Sequence, residues 1–179
     1  MNIKLYLFIL LFLNSILLDA EEFRINYKYD SIVFEIYSPN TTLDNSLYIS
    51  YSYENTKKEF FKKIDGIIYK AKIANLNHDL YPEVYIFSVS HGSGSYGELF
   101  AYTINENGLL IPIYMPNIKN KYYMGHDEFF IQGDSIDRTF PIYKSFDINA
   151  NPTGGIKKII YKLVKEDNNL SLLPQLKNK

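Results

Sequence analysis

The chain has 179 residues, no cysteine, no tryptophan and a formal net charge of −1, with lysines and acids interspersed along its length. It can therefore hold no disulfide and no acylated thiol, and it lacks the basic stripe that a nucleic-acid binder needs. Its 17 tyrosines and 12 phenylalanines point instead to a β-rich interior with amphipathic rings at its margins.

Residues 1–20 read as an export signal. Lys4 supplies the charged start, residues 5–18 are apolar apart from Asn14 and Ser15, and Ala20 offers a small residue at the cleavage point. The run is shorter than the ~20 residues a membrane span requires, and it meets Asp19, Glu21 and Glu22 at once, which argues against an anchor. The expected mature protein, residues 21–179, is exported to the periplasm or the medium and is long enough for one domain with its own core.

Residues 23–29 alternate apolar and polar side chains as a half-buried strand does, and residues 31–38 and 47–53 repeat the pattern. Asn40, Thr41 and Thr42 form a glycosylation sequon that is treated as a chance match. Residues 59–64 and 66–73 are expected to form a hairpin that turns at Asp65 and Gly66. No sustained helical period occurs in this half.

Asn75, Asn77, Asp79 and Glu83 are spaced like the oxygen ligands of a calcium loop, but the first ligand is an amide and Leu80 stands where glycine would ease the turn. An Asx-rich turn that sets the register of a strand starting at Glu83 is expected. No metal or other cofactor is implied, and a calcium-stiffened structural or adhesion domain is the alternative.

The centre of the chain is a glycine-serine tip, His91-Gly92-Ser93-Gly94-Ser95-Tyr96-Gly97, between two strand-like segments at 84–89 and 96–104. Its three glycines permit positive φ angles, so the tip can turn tightly and present Ser93, Ser95 and Tyr96. It matches G-x-G-x-x-G, yet a strand follows where a dinucleotide site needs a helix N-terminus. Nor does either serine have glycines two residues before and two after, as a nucleophile elbow requires. The tip is either an ordinary hairpin turn with solvated serines or a contact loop.

Further on, Asn105 to Gly108 marks a turn, and Pro112 suggests that residues 109–114 form an edge strand. His126, Asp127 and Glu128 offer acid, base or metal-ligand chemistry. Adjacent side chains on a strand point to opposite faces, so a hydrogen-bonded loop brace is expected, with a glycan-acting enzyme using Asp127 and Glu128 as the competing class. Strand-like pieces at 135–143, 156–164 and 170–173 complete the chain around a long turn at 147–155. The pattern predicts an all-β fold, an antiparallel β-sandwich or flattened barrel of about eight strands.

Five groups of residues, taken in order and spacing, resemble the periplasmic inhibitors of invertebrate-type (i-type) lysozyme. They are Asn75-Leu76-Asn77 with Pro82-Glu83; Ser93-Gly94-Ser95-Tyr96-Gly97; Tyr123-Met124-Gly125-His126-Asp127-Glu128-Phe129; Phe140-Pro141-Ile142-Tyr143; and Asn149-Ala150-Asn151-Pro152-Thr153-Gly154-Gly155 with Tyr161-Lys162-Leu163. The likeness covers residues 73–164 and departs at Asn75, where the family has an acid, and at Leu80-Tyr81, where it has a glycine. It implies an exported all-β inhibitor rather than an enzyme, whose loop of Ser93, Gly94, Ser95 and Tyr96 enters the lysozyme cleft. Ser93 and Tyr96 would carry the key hydroxyls. The implied partner is an i-type lysozyme, with no nucleic acid and no membrane once the signal is removed; pairing of two copies stays open.

Overall fold

The computed structural model describes residues 21–148, 151–167 and 169–175. The expected export signal, and Asn149 with Ala150, lie outside the described residues. Twelve strands and no helix are found there. A four-stranded antiparallel sheet is built from β1 (Phe23–Tyr29), β2 (Ile32–Ser38), β3 (Ser46–Tyr53) and β4 (Thr56–Lys63), paired in chain order. An eight-stranded sheet holds β5 (Ile67–Ala74), β6 (Glu83–Val89), β7 (Gly97–Ile104), β8 (Leu110–Tyr114), β9 (Glu128–Gln132), β10 (Ser135–Pro141), β11 (Ile156–Glu166) and β12 (Asn169–Pro174). Its spatial order is β5-β6-β7-β8-β12-β11-β10-β9.

The alternation read from the sequence sets the two cores. In the small sheet Ile32, Phe34, Ile36, Leu47, Ile49 and Tyr51 face inward and meet Val84, Ile86, Phe100, Tyr102 and Ile104 of the large one. The large sheet then curls around a second core on its other face, where Tyr85, Phe87 and Leu99 meet Phe129, Ile136, Tyr161 and Leu172. Its two free edges approach each other, and the Lys70 ammonium on β5 donates to the Phe129 carbonyl on β9 at 2.8 Å. The fold is thus the expected all-β sandwich, with one layer bent into a half-barrel.

Strands β6 and β7 belong to both cores. Residues 83–88 and 99–104 are buried without a break, so both faces of these strands are covered, whereas the small sheet alternates. Each large side chain buried there stabilises the hairpin by roughly 1.5–3 kcal/mol, so the hairpin's root is a fixed base.

Three expectations need correction. The described residues form twelve strands where about eight were expected, and one pair, β8 with β12, is parallel. Asp65 and Gly66 do not turn a hairpin; they carry the chain from β4 in the small sheet to β5 in the large one. Gly66 has φ +80°, a Cβ there would lie 2.1 Å from the Val89 carbonyl oxygen, and its own carbonyl accepts from Asn45 Nδ2 at 2.7 Å. The crossing is stapled by buried Asn40, whose amide donates to the Ile68 carbonyl at 2.9 Å and accepts from the Ile68 N–H at 2.8 Å, so the sequon asparagine is an internal strut. Finally, β8 lies inside the sheet. Its pairing to β12 begins only at Ile113, which leaves Pro112 on a locally unpaired side where the missing N–H is tolerated.

Candidate functional site

The β6–β7 hairpin ends in a finger of residues 90–96. Its neck is closed by the Ser90 N–H donating to the Tyr96 carbonyl at 2.9 Å and by the Tyr96 N–H donating to Ser90 Oγ at 3.0 Å. Inside, the Ser95 N–H donates to the Gly92 carbonyl at 3.3 Å, with φ +105° at Gly92 and +41° at Ser95. His91, Gly92 and Ser93 are exposed at the tip, Ser95 is half-buried, and Tyr96 keeps 45% of its surface in solvent. Of the three groups expected at the tip, Ser93 and Tyr96 are exposed, whereas Ser95 is half-buried.

A second loop, residues 122–127, holds the finger from the side. The His126 N–H donates to the carbonyls of Gly94 at 2.9 Å and Ser95 at 3.1 Å. That approach requires a glycine at 125, where φ is +88° and a Cβ would lie 1.9 Å from the Gly94 oxygen. Gly94 in turn lies under the Tyr96 ring, 2.5 Å from where its Cβ would be. The Tyr96 ring meets Tyr123 edge-on at 5.5 Å, and Tyr123 meets Phe140 at 4.8 Å. One edge of Tyr96 is therefore fixed while the rest faces out.

Below the finger, both backbone groups of Gly97 are clamped by a buried ion pair. Its N–H donates to Asp127 Oδ2 at 2.8 Å and its carbonyl accepts from Arg138 Nη2 at 3.1 Å. Arg138 Nε donates to Asp127 Oδ1 at 2.7 Å, and the two side chains are 8% and 0% exposed. The Tyr123 hydroxyl donates to Asp127 Oδ2 at 2.6 Å and accepts from Arg138 Nη2 at 2.9 Å. Burial, reinforced by the hydrogen bond to Asp127, pushes the Tyr123 phenol well above its ordinary range, so it stays a donor at any physiological pH.

The second cluster is thus a brace, and Asp127 is its centre. Its carboxylate is enclosed and engaged by three partners, while Glu128 is exposed on the first residue of β9. Arg138 went unmarked in the sequence, although a signal was present: Ile136, Arg138 and Phe140 share the inward face of one strand, and a cation on an apolar face needs a buried partner.

Two recesses flank the finger. A cleft of about 370 Å³ is lined by Ser88, Ser90, Tyr96, Glu98, Asn117 and Arg138 among others. A hollow of about 440 Å³ on the opposite side is bordered by Ser95, His126 and the exposed rings of Tyr69 and Phe130. Exposed aromatic side chains around a projecting loop are the usual furniture of a protein interface.

The Asn75 to Glu83 turn lies at the other end of β6. Asp79 accepts from the Tyr81 N–H at 2.8 Å and from Asn77 Nδ2 at 2.7 Å, while Asn77 Oδ1 accepts from the Asp79 N–H at 3.1 Å. Asn75 Nδ2 donates to the Asp79 carbonyl at 2.6 Å, and Glu83 Oε2 accepts from the Leu76 N–H at 2.7 Å. These groups build an Asx turn that delivers Glu83, wholly buried, as the first residue of β6. No group of three or more His, Asp or Glu side chains placed to hold a metal ion occurs among the described residues. Burial, the dominant cause, pushes the Glu83 carboxyl up to about 7.

Comparison with protein-family models, with curated proteins and with solved structures gives no match.

Proposed function

We propose that this chain is an exported inhibitor of i-type lysozyme that inserts the Ser93-Gly94-Ser95-Tyr96 finger into the enzyme's substrate cleft. One observation carries it: the residues whose sequence resembles the inhibitors' contact loop form a projecting tip, with Ser93 exposed and Tyr96 nearly half-exposed on a base buried on both faces. A glycosidase cleft holds two carboxyl groups on either side of the bond to be cut. Serine and tyrosine hydroxyls can hydrogen-bond to those carboxyls as sugar hydroxyls do, and they offer no glycosidic bond.

Hydrogen bonds to a charged partner are worth roughly 1.5–3 kcal/mol each, and a well-packed tyrosine anchor ~2 kcal/mol or more. Together they span several decades of affinity. The external clamps on Gly94, Ser95 and Gly97 mean that little freedom remains to be lost on docking.

The test is titration of the purified mature protein against i-type lysozyme. Ser93→Ala and Tyr96→Ala should each weaken inhibition at least about tenfold with unchanged thermal unfolding. Full inhibition by both variants would remove the finger from the mechanism. The same protein assayed alone on peptidoglycan addresses the enzyme class: turnover that is lost in Glu128→Gln would overturn the inhibitor reading.

A further inference from the structure

Beside the finger, the ladder between β7 and β8 stops at Ala101 and Ile113, and residues 115–118 peel away. The gap is the cleft of about 370 Å³. Asp65 and Glu98 stand at it, and neither side chain forms an ion pair or hydrogen bond among the described residues. They lie within electrostatic reach of each other: partial burial pushes the Glu98 carboxyl up, Lys62 draws it back, and Asp65 pushes it up again. Arg138 also lines the cleft, but its charge is matched by Asp127. Even with Lys62, which acts electrostatically on Glu98, counted in, Asp65 and Glu98 leave an excess of one negative charge here.

Ser88 adds an independent observation. It is wholly buried, pairs directly across the ladder with Glu98, lines the same cleft, and its Oγ has no hydrogen-bond partner among the described residues. A buried hydroxyl without a partner costs stability unless something arrives to bond it. Two carboxylates and a hydroxyl spread around a slot of side-chain size suit a planar cation with several donors better than a bare ion.

We propose that this cleft receives an arginine side chain of the enzyme that the finger enters. The inference rests on the inhibitor reading and names a second contact beside Tyr96. The guanidinium would sit between Asp65 and Glu98 and donate to Ser88 Oγ, fixing the angle at which the finger approaches.

Two measurements test it. In the first, the isotope-labelled full chain is titrated with N-acetylarginine amide, with N-acetylleucine amide as the control. Saturable shifts of the Ser88, Gly97 and Asn117 amides, seen with the arginine compound alone and absent in the double variant Asp65→Asn/Glu98→Gln, are expected. No saturable shift, or the same shift in the double variant, overturns the proposal. In the second, the double variant should inhibit i-type lysozyme about tenfold more weakly and with a shallower salt dependence. If Ser93→Ala and Tyr96→Ala lose inhibition while the double variant does not, the arginine site falls and the inhibitor reading stands. If none of these variants loses inhibition, the inhibitor reading itself falls.

Discussion

Two polar loops sit at opposite ends of β6, and they are held in opposite ways. In the turn from Asn75 to Glu83 the side chains fold back on their own segment: Asn75, Asn77 and Asp79 bond one another and the local backbone. The finger closes its own neck through Ser90 and Tyr96, but the backbone of Gly94, Ser95 and Gly97 is held by other segments, through His126, Asp127 and Arg138, and residues 93 and 96 are exposed. A loop that shapes itself with its own polar groups has few left for a partner. A loop held largely from outside can keep its side chains at the surface.

The sharpest way to break this contrast is to remove the external support. Arg138→Met leaves the Asp127 carboxylate buried without its counter-charge, which costs about 3–5 kcal/mol and, in a chain of this size, about 10 °C in Tm. Gly97 loses one of its two clamps, so binding should fall even at temperatures where the variant is folded. Adding Asp127→Asn to Arg138→Met should recover part of the stability, because no lone charge then remains. Thermal unfolding of the three proteins checks this order, and equal Tm values for single variant and wild type would mean that the pair does not support the finger.

A smaller effect probes the self-held turn. Glu83 in the folded chain keeps its proton to about pH 7, against an ordinary value of 4.5. Between those values the folded state binds more protons than the unfolded one, so stability should fall as pH rises through that window and level off above it. Glu83→Gln cannot ionise, so it should flatten the profile and raise stability at pH 8 by up to roughly 3 kcal/mol. Inhibition should be untouched, because the turn is at the far end of the strand. Unfolding measured from pH 4 to pH 8 decides it.

Much of this was legible in the chain itself, for reasons that mark the limits too. Alternation placed the strands of the small sheet because each has one wet face, and β-branched and aromatic enrichment placed β6 and β7, although not their burial on both faces. The finger was legible because glycine spacing and exposed hydroxyls are local facts. The crossing at Asp65 and Gly66 resembled a hairpin because the features that forbid one are distant: the Val89 carbonyl pressed against Gly66, and Asn40 bonded to both groups of Ile68. The parallel contact of β8 with β12 joins segments more than fifty residues apart through only two paired positions, too few to leave a pattern. Asp127 was seen as a brace without its partner, since nothing near it in sequence points to Arg138.

The central claim is that the finger and a sugar chain compete for one groove. It is tested most directly by measuring the affinity of the protein for i-type lysozyme by calorimetry at rising concentrations of a chitin-derived oligosaccharide. The account predicts that the apparent Kd rises in proportion to the oligosaccharide and that Tyr96→Ala binds weakly even without it. Undiminished binding at saturating oligosaccharide would contradict it.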